Sequence, residues 1–259
     1  FSISLMLSVV NRGFFLIYNN GLVAGYSAMD ILKCFIYGLS LDASIAGYIT
    51  AIPALMTIAT VWVPKESIRP KIWQRMMEGY LLFMTVLVAI IETADIGMFA
   101  DWLCRIDSQI YIYTLEEMMA SVSILSGVGG TVYVAGTAFV AMWLFRKAIK
   151  TWLLPAVDES RCSSGIRIGT TAVLTLACGL IFLVIRGGVT TATANVSKAY
   201  FSNDMLLNQV AVNPVFSLLE STFERNDNEL DNYDTYAPEE VERLFAQLQT
   251  SMADTTAAC

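Results

Sequence analysis

The chain has 259 residues, of which 56% are hydrophobic and only 15% are charged, whereas about 25% of the residues in a soluble domain are charged. Residues 220–259 hold ten acidic and two basic residues, so they account for −8 of the net charge of −7 and the rest of the chain sums to +1. An acidic tail argues against a nucleic-acid partner, and the absence of histidine excludes a Ser-His-Asp triad.

Five apolar segments follow one another along the chain and predict an all-α, polytopic membrane protein. They cover roughly residues 1–18, 39–63, 79–100, 127–145 and 166–186. A helix needs about 20 residues to cross about 30 Å of hydrocarbon, and four of the segments approach that length. We expect Gly47 and Pro53 to kink the second one, because proline removes a helical hydrogen bond. The small residues of 127–136 indicate close helix packing.

The charges between the segments predict their orientation. The segments 64–78 and 146–167 are rich in lysine and arginine, whereas 19–38 and 101–126 hold one basic residue each. Basic loops stay in the cytoplasm. Five spans therefore place the N-terminus in the cytoplasm and the C-terminus outside it.

The chain becomes polar after residue 186, which predicts two domains: a transmembrane domain, 1–186, and an extracytoplasmic helical linker, 187–259. Gly187 and Gly188 are expected to end the last span and to start an extended strap. The pattern over 203–224 predicts one or two amphipathic helices, interrupted by Pro214.

Further predictions concern the linker itself. Asn208 and Asn213 are expected to cap or tie its helices. The acidic, asparagine-rich residues 226–236 predict a solvated loop, and another helix is expected to begin near Pro238.

Four ionisable residues lie within or at the edges of the apolar segments: Arg12, Asp42, Glu92 and Asp95. Charges in hydrocarbon are costly and normally face a partner or water. The predicted topology places all four in the outer half of the membrane, and the spacing of Glu92 and Asp95 puts them on one helix face. We therefore predict that Arg12 pairs with one or more of the carboxylates. The cluster would either fix helix packing or form a cup for a lipid headgroup or substrate group.

Four charged residues outside or at the end of the spans are candidate contacts at the lipid-headgroup interface: Arg105, Asp107, Arg186 and Lys198. The three basic ones could also meet an acidic surface of a following domain. Simpler interpretations remain open for two of them. Arg105 could pair with Asp101 or Asp107, and Arg186 could extend its charge to the interface from the end of its span.

Five cysteines are present, and none forms a CxxC pair, which argues against a zinc or redox site. The topology places Cys34 and Cys104 on the same side of the membrane, so a disulfide between them is possible. Unpaired thiols are the favoured interpretation.

An ordered set of short motifs resembles the N-terminal membrane half of lipoteichoic-acid-synthase-like proteins. These are membrane-anchored phosphoglycerol transferases and sulfatase-type hydrolases of the alkaline phosphatase superfamily. The similar segments are Asn11-Arg12 with Phe15 and Asn19, Gly38-Leu39-Ser40-Leu41-Asp42, Ala94-Asp95-Ile96-Gly97, Arg105-Ile106-Asp107, Glu117 with Ala120 and Ser121, and Ala199-Tyr200-Phe201-Ser202 with Asn208, Ala211, Asn213-Pro214 and Phe216.

This resemblance implies five transmembrane helices, a linker and an extracytoplasmic catalytic domain in a bacterial cytoplasmic membrane. It implies a catalytic threonine and a divalent metal, Mn or Mg, in that domain, which this sequence lacks. No catalytic residue, metal ligand or cofactor is therefore expected here. The expected partners are the bilayer, a phosphatidylglycerol-type lipid and the chain's own catalytic domain. A transporter or channel subunit, or a membrane sensor or assembly protein, remains the alternative.

Overall fold

The structure, a computed structural model, describes residues 1–63, 70–114, 124–155, 164–191, 193–230 and 240–245. Within these ranges the regular elements are helical and no strand occurs. The helices are α1 (Ser2–Tyr18), α2 (Asn20–Val23), α3 (Ala28–Trp62), α4 (Pro70–Trp102), α5 (Ile124–Ala148), α6 (Ser164–Arg186), α7 (Met205–Ala211) and α8 (Pro214–Leu230). Two 3-10 turns, Ser108–Ile112 and Val196–Ala199, and a π turn, Ile149–Leu153, complete them. The all-α prediction is confirmed.

Four described helices are long and apolar enough to cross a membrane, judged by length and composition: Ala28–Trp62, Lys71–Trp102, Gly127–Leu153 and Ser164–Arg186. Helix α1 is apolar but has only 17 residues. A straight helix of that length spans about 25 Å at 1.5 Å per residue, less than the hydrocarbon core. The fifth span therefore stays a prediction.

The second predicted span begins much earlier than the sequence pattern indicated. The loop expected over 19–38 is largely helical, because α3 begins at Ala28. Ser27 caps this helix: its hydroxyl accepts the Asp30 amide N–H at 3.2 Å and donates to the Asp30 carboxylate at 2.8 Å. The helix continues through Gly47 and Pro53 to Trp62, and the kink expected at these residues stays a prediction.

Helix α3 packs against both α1 and α6. Helix α4 packs against α5, and α1 also contacts α4 and α5. The buried apolar side chains come from α1, α3, α4, α5 with the π turn that follows it, and the segment around α7. Helix α6 has no buried residue and lies along α3. The indole N–H of Trp62 donates to the Thr171 hydroxyl at 2.9 Å, which joins the two helices near one end.

Helix α6 ends at Arg186, directly before the two glycines that were predicted to end it. Gly187 and Gly188 have φ values of +87° and +116°, which are outside the helical range. Glycine adopts these angles without steric cost. The prediction of helices interrupted at Pro214 is also confirmed, since α7 ends at Ala211 and Pro214 begins α8. Proline suits the first position of a helix, where its missing N–H would have no partner.

Helix α8 continues to Leu230, so the first part of the loop predicted over 226–236 is helical. Residues 240–245 are helical too, close to the helix start predicted near Pro238. The chain divides into two compact units, Phe1–Ser221 and Thr222–Cys259. The segment 187–221 therefore belongs to the same compact unit as the apolar helices, and the predicted boundary between the membrane and extracytoplasmic parts after residue 186 stays a prediction.

Some predictions concern residues outside the described ranges. They include parts of the two basic loops, 64–69 and 156–163, the motif residues Glu117, Ala120 and Ser121, the remaining loop residues 231–236, Pro238, and the cysteines Cys162 and Cys259.

Candidate functional site

A buried polar cluster lies where α1, α3 and α4 meet the junction between α7 and α8. The polar cluster consists of Asn11, Arg12, Asp42, Glu92, Asp95, Arg105, Gln209 and Asn213, all of them buried. It includes the four ionisable residues that the sequence singled out, so the structure brings that whole set together. We call the end of the bundle that holds it the cluster end.

Arg12 forms the first ion pair of the cluster. Its Nη2 lies 2.7 and 2.8 Å from the two carboxylate oxygens of Asp42, and its Nη1 donates to the Val210 carbonyl at 2.9 Å and to the Ala211 carbonyl. Only 5% of Arg12 and 1% of Asp42 is exposed. Gly38 makes room for this arrangement, because a Cβ there would collide with the guanidinium and with the Ala211 carbonyl.

Asp42 has a second partner on the segment that follows α7. The amide Nδ2 of Asn213 donates to Asp42 Oδ1 at 2.8 Å. The other amide atom of Asn213, Oδ1, accepts the backbone N–H of Phe216 at 3.1 Å and caps the start of α8. Asn213 therefore joins the start of α8 to α3, which agrees with its predicted capping or tying role.

Arg105 forms the second ion pair, with Asp95. The other carboxylate oxygen of Asp95 accepts the backbone N–H of Ile106 at 3.0 Å. The guanidinium lies 3.8 Å from the ring centroid of Phe15, which makes a cation–π contact. Burial lowers the pKa of the Arg105 guanidinium and the Asp95 charge opposes this effect; arginine remains charged in such a site.

The two arginines also cap the C-terminus of α7. Arg105 donates from Nε to the Gln209 carbonyl at 2.9 Å and from Nη2 to the Val210 carbonyl at 3.0 Å, while Arg12 donates to the carbonyls of Val210 and Ala211. The last carbonyls of a helix have no partner inside it, and cations near them are favourable. We call these contacts the arginine clamp.

Glu92 occupies the deeper side of the polar cluster on α4. It accepts a hydrogen bond from the Asn11 amide of α1. Only 4% of Glu92 is exposed, and no ion pair to it occurs in the part of the chain that the structure describes. Glu92 and Asp95 both face the cluster, as their spacing predicted.

A cavity of about 20 Å³ lies inside the cluster, among the side chains of Arg12, Asp42, Glu92, Asp95, Arg105 and Asn213. A volume of this size has room for about one water molecule. No described residue forms a hydrogen bond with the buried Nε of Arg12, so the cluster offers a polar donor as well as acceptors. A lipid headgroup does not fit this cavity, and the geometry favours the packing role over the cup.

Arg105 does not lie at the surface, where the sequence analysis placed it as a headgroup contact. It is 4% exposed, and its partner is Asp95 rather than Asp101 or Asp107. Asp107 is only partly buried and accepts the backbone N–H of Gln109 at 2.9 Å, which starts the 3-10 turn Ser108–Ile112.

Arg186 and Lys198 fold the strap back onto the end of α6. Arg186 donates to the carbonyls of Gly188 at 3.3 Å and Thr190 at 2.7 Å, and Lys198 donates to the carbonyl of Gly187. Both side chains are partly exposed. These hydrogen bonds are therefore made within the strap and to the end of α6, and a headgroup role for the two side chains stays a prediction.

Cys34 and Cys104 are free thiols, as is Cys178. Cys34 is buried in α3, and its thiol donates to the Leu207 carbonyl of α7 at 3.5 Å. The favoured interpretation of unpaired thiols agrees with the structure for this pair. Among the described residues, no group of three or more His, Cys, Asp and Glu side chains could hold a metal ion.

Three members of the polar cluster were not proposed as site residues from the sequence: Asn11, Gln209 and Asn213, of which Asn213 was expected only to cap or tie the linker helices. Asn11 lies beside Arg12 in an apolar segment, and Gln209 lies between Asn208 and Val210 in α7, whose other residues are apolar. A polar residue inside an apolar helix stretch is the signal that would have identified both. Asn208 behaves as predicted: its Oδ1 accepts the N–H groups of Phe201 and Ser202, each at 2.9 Å.

Comparisons with protein-family models, with curated proteins and with solved structures find no match to this chain.

Proposed function

We propose that this chain is the membrane anchor and positioning domain of an extracytoplasmic enzyme of the sulfatase-like phosphoglycerol transferase or hydrolase kind. The enzyme would act on lipid or cell-envelope glycan headgroups from a bacterial cytoplasmic membrane. The observation that carries the proposal is the arginine clamp, which fixes the C-terminus of α7 to Arg12 of α1 and to Arg105 of the segment after α4.

The clamp has the properties that a positioning device needs. The segment it holds is buried, since Leu207, Val210 and Ala211 are at most 4% exposed. A flexible tether would leave such residues in water and would let the following chain sample many positions. Here two arginines on two different elements bind the C-terminus of α7. The start of α8, three residues later, is therefore held in a fixed position.

The position at which the linker leaves the transmembrane helices matters for an enzyme whose substrate is in the membrane. Anchoring raises the effective concentration of a lipid-borne group at the catalytic domain, and a fixed origin restricts the approach of the active site to the depth of the headgroups. The resemblance to lipoteichoic-acid-synthase-like proteins supplies the reaction class. The catalytic threonine and the divalent metal, Mn or Mg, belong in this proposal to the catalytic domain beyond the linker.

The five-span topology, with the N-terminus in the cytoplasm and the linker outside it, is part of the proposal and rests on the basic loops. The partners would be the bilayer, a phosphatidylglycerol-type lipid and the catalytic domain. A transporter or channel is less favoured, because the buried charges are paired or hydrogen-bonded to one another and surround a cavity of about 20 Å³.

The test uses the protein that carries the predicted catalytic domain, purified in detergent with Mn²⁺ or Mg²⁺. Release of diacylglycerol from phosphatidylglycerol is measured beside hydrolysis of soluble phosphate and sulfate esters. Metal-dependent diacylglycerol release supports a transferase, activity on soluble esters alone supports a hydrolase, and activity on neither overturns the proposal.

A clamp variant then tests the positioning role. In vesicles, Arg12→Leu/Asp42→Leu should lower turnover of the lipid substrate by ~10-fold or more, since small displacements of a reacting group cost that much or more, and should leave turnover of the soluble ester unchanged. Arg75→Leu, at an exposed arginine of α4, is the matched control. Equal loss on both substrates would contradict positioning.

A further inference from the structure

The segment after α4 exposes a group of large apolar side chains. Leu103, Tyr111, Ile112 and Tyr113 are 52%, 56%, 71% and 47% exposed; we call them the apolar strip. They follow directly on a helix that is long and apolar enough to span a membrane. The stretch 108–114, Ser-Gln-Ile-Tyr-Ile-Tyr-Thr, contains no charged residue.

Contacts at both ends keep this segment close to the end of α4. The ring of Tyr113 lies 5.6 Å from that of Trp102, the last residue of α4. The backbone N–H of Ile106 donates to Asp95 at 3.0 Å, and that of Ser108 donates to the Ser221 hydroxyl at 2.9 Å. The chain thus leaves α4, turns and returns to the level at which the helix ends.

The backbone at Leu103 separates the polar from the apolar side chains. Its φ is +53°, the left-handed region, where glycine is the usual residue after a helix. This turn lets Arg105 reach inward to Asp95 while the Leu103 side chain remains outside. The segment therefore buries its cation and exposes its apolar groups, which is the opposite of the distribution expected for a loop in water.

We infer that the apolar strip lies in the interfacial layer of the bilayer, between the headgroups and the acyl chains, at the cluster end. Tyrosine and tryptophan rings at a span end favour this layer, and the stretch 108–114, which holds three of the four strip residues, carries no charge. Its partner is the lipid interface in general, because the strip offers no cation for a particular headgroup. The inference stands independently of the proposed enzymatic role.

Consequently, the strip would set the depth of the polar cluster relative to the lipid. Arg105 lies between Leu103 and the 3-10 turn, so the same segment that enters the interface also holds the C-terminus of α7. The level at which α8 leaves the bundle is then fixed with respect to the headgroups as well as to the helices.

Fluorescence quenching tests this placement. Bimane is attached at Ile112→Cys in a variant whose five native cysteines are alanine, and the protein is reconstituted in phosphatidylcholine vesicles. Bromines on the acyl chains quench probes in the interface, and iodide quenches probes in water. Asn203→Cys is the control, because Asn203 is an exposed polar residue in the turn before α7.

The expected result is at least a several-fold stronger quenching of position 112 than of position 203 by the brominated lipid, with the reverse order for iodide. Iodide quenching at 112 equal to that at 203 would place the strip in water and overturn the inference. Quenching by neither reagent would mean that protein covers the strip, for instance a second copy of the chain, and would overturn it too.

A second variant tests the contribution of Leu103. With the probe at 112, Leu103→Gly removes an apolar side chain from a backbone conformation that glycine adopts freely. Lipid quenching should fall and iodide quenching should rise, while the elution volume and helical circular dichroism stay unchanged. Unaltered quenching would exclude Leu103 from the membrane contact.

Discussion

The two ends of the helix bundle hold arginine–carboxylate ion pairs in opposite environments. At the cluster end, the Arg12 and Asp42 side chains are 4% and 1% exposed and lie 2.7 Å apart. At the other end, Arg146 Nε lies 3.0 Å from Glu78, but the Arg146 side chain is 57% exposed. The first pair is isolated from water and the second is only partly so.

This difference decides what each pair can do. An exposed pair contributes about 0–1 kcal/mol, because water and salt screen it. Breaking a buried pair costs about 3–5 kcal/mol, because one charge remains in a poor solvent. The cluster end therefore specifies the position of α7 and α8, whereas the other end tolerates change.

The largest effect is expected for Arg12→Leu. It leaves Asp42 buried without its cation and removes the donor to the carbonyls of Val210 and Ala211, so the free energy of unfolding should fall by about 3–5 kcal/mol. Reversible denaturant titration in detergent micelles measures it, with Arg75→Leu as the exposed control.

Adding Asp42→Leu should restore part of this loss, because no uncompensated charge then remains in the cluster. A loss below about 1 kcal/mol for Arg12→Leu, the level of an exposed pair, would remove the distinction between the two ends.

Asn213→Ala should have the next largest effect. The substitution removes a hydrogen bond to the buried Asp42 carboxylate, which contributes about 1.5–3 kcal/mol to the free energy of unfolding. It also removes the cap of α8, which contributes about 1 kcal/mol. The two contributions need not add fully. The same titration measures it, and Asn203→Ala serves as the matched exposed asparagine. Equal stability of the two variants would show that Asn213 does not orient α8.

Arg146→Ala should cost about 1 kcal/mol or less, because solvent screens the arginine of this pair. Glu78 keeps a hydrogen bond from Gln74 Nε2 at 2.6 Å. The difference from the unmodified protein should shrink as salt is raised from about 0.01 M to 1 M, since the screening length falls about tenfold. A large, salt-independent loss would mean that this end is specified as strictly as the cluster end.

The smallest effect is expected for Tyr26→Phe at the margin of the cluster end. The Tyr26 hydroxyl donates to Asp204 at 2.6 Å and holds the pKa of that carboxyl below its usual value. A lowered folded pKa stabilises the protein above the ordinary carboxyl pKa, and this contribution is lost as the pH falls through the lowered value.

The melting temperature of Tyr26→Phe should therefore lie below that of the unmodified protein at neutral pH. The gap should narrow below about pH 4, near the reference carboxyl pKa. A gap that stays constant between pH 3 and 7 would show that the hydrogen bond does not depend on the charge of Asp204.

The sequence determined the features that depend on local chemistry or on position along the chain. Apolar composition and segment length indicated the long helices, and Gly187-Gly188 and Pro214 marked the places where helices end and begin. The predicted topology placed Arg12, Asp42, Glu92 and Asp95 at similar depths, which was enough to group them. The depth of a residue in a span follows from its position in the sequence, because each helical residue advances by a fixed rise. It can therefore be predicted without knowing how the helices pack.

Only the tertiary structure decided which groups meet within that layer. Arg105 pairs with Asp95 rather than with Asp101 or Asp107 because the left-handed Leu103 turns the chain inward. The arginine clamp joins Arg12 to carbonyls about 200 residues away in the chain. Backbone carbonyls are the same in every residue, and so no side-chain pattern reveals which of them a buried guanidinium will reach once the helices have packed.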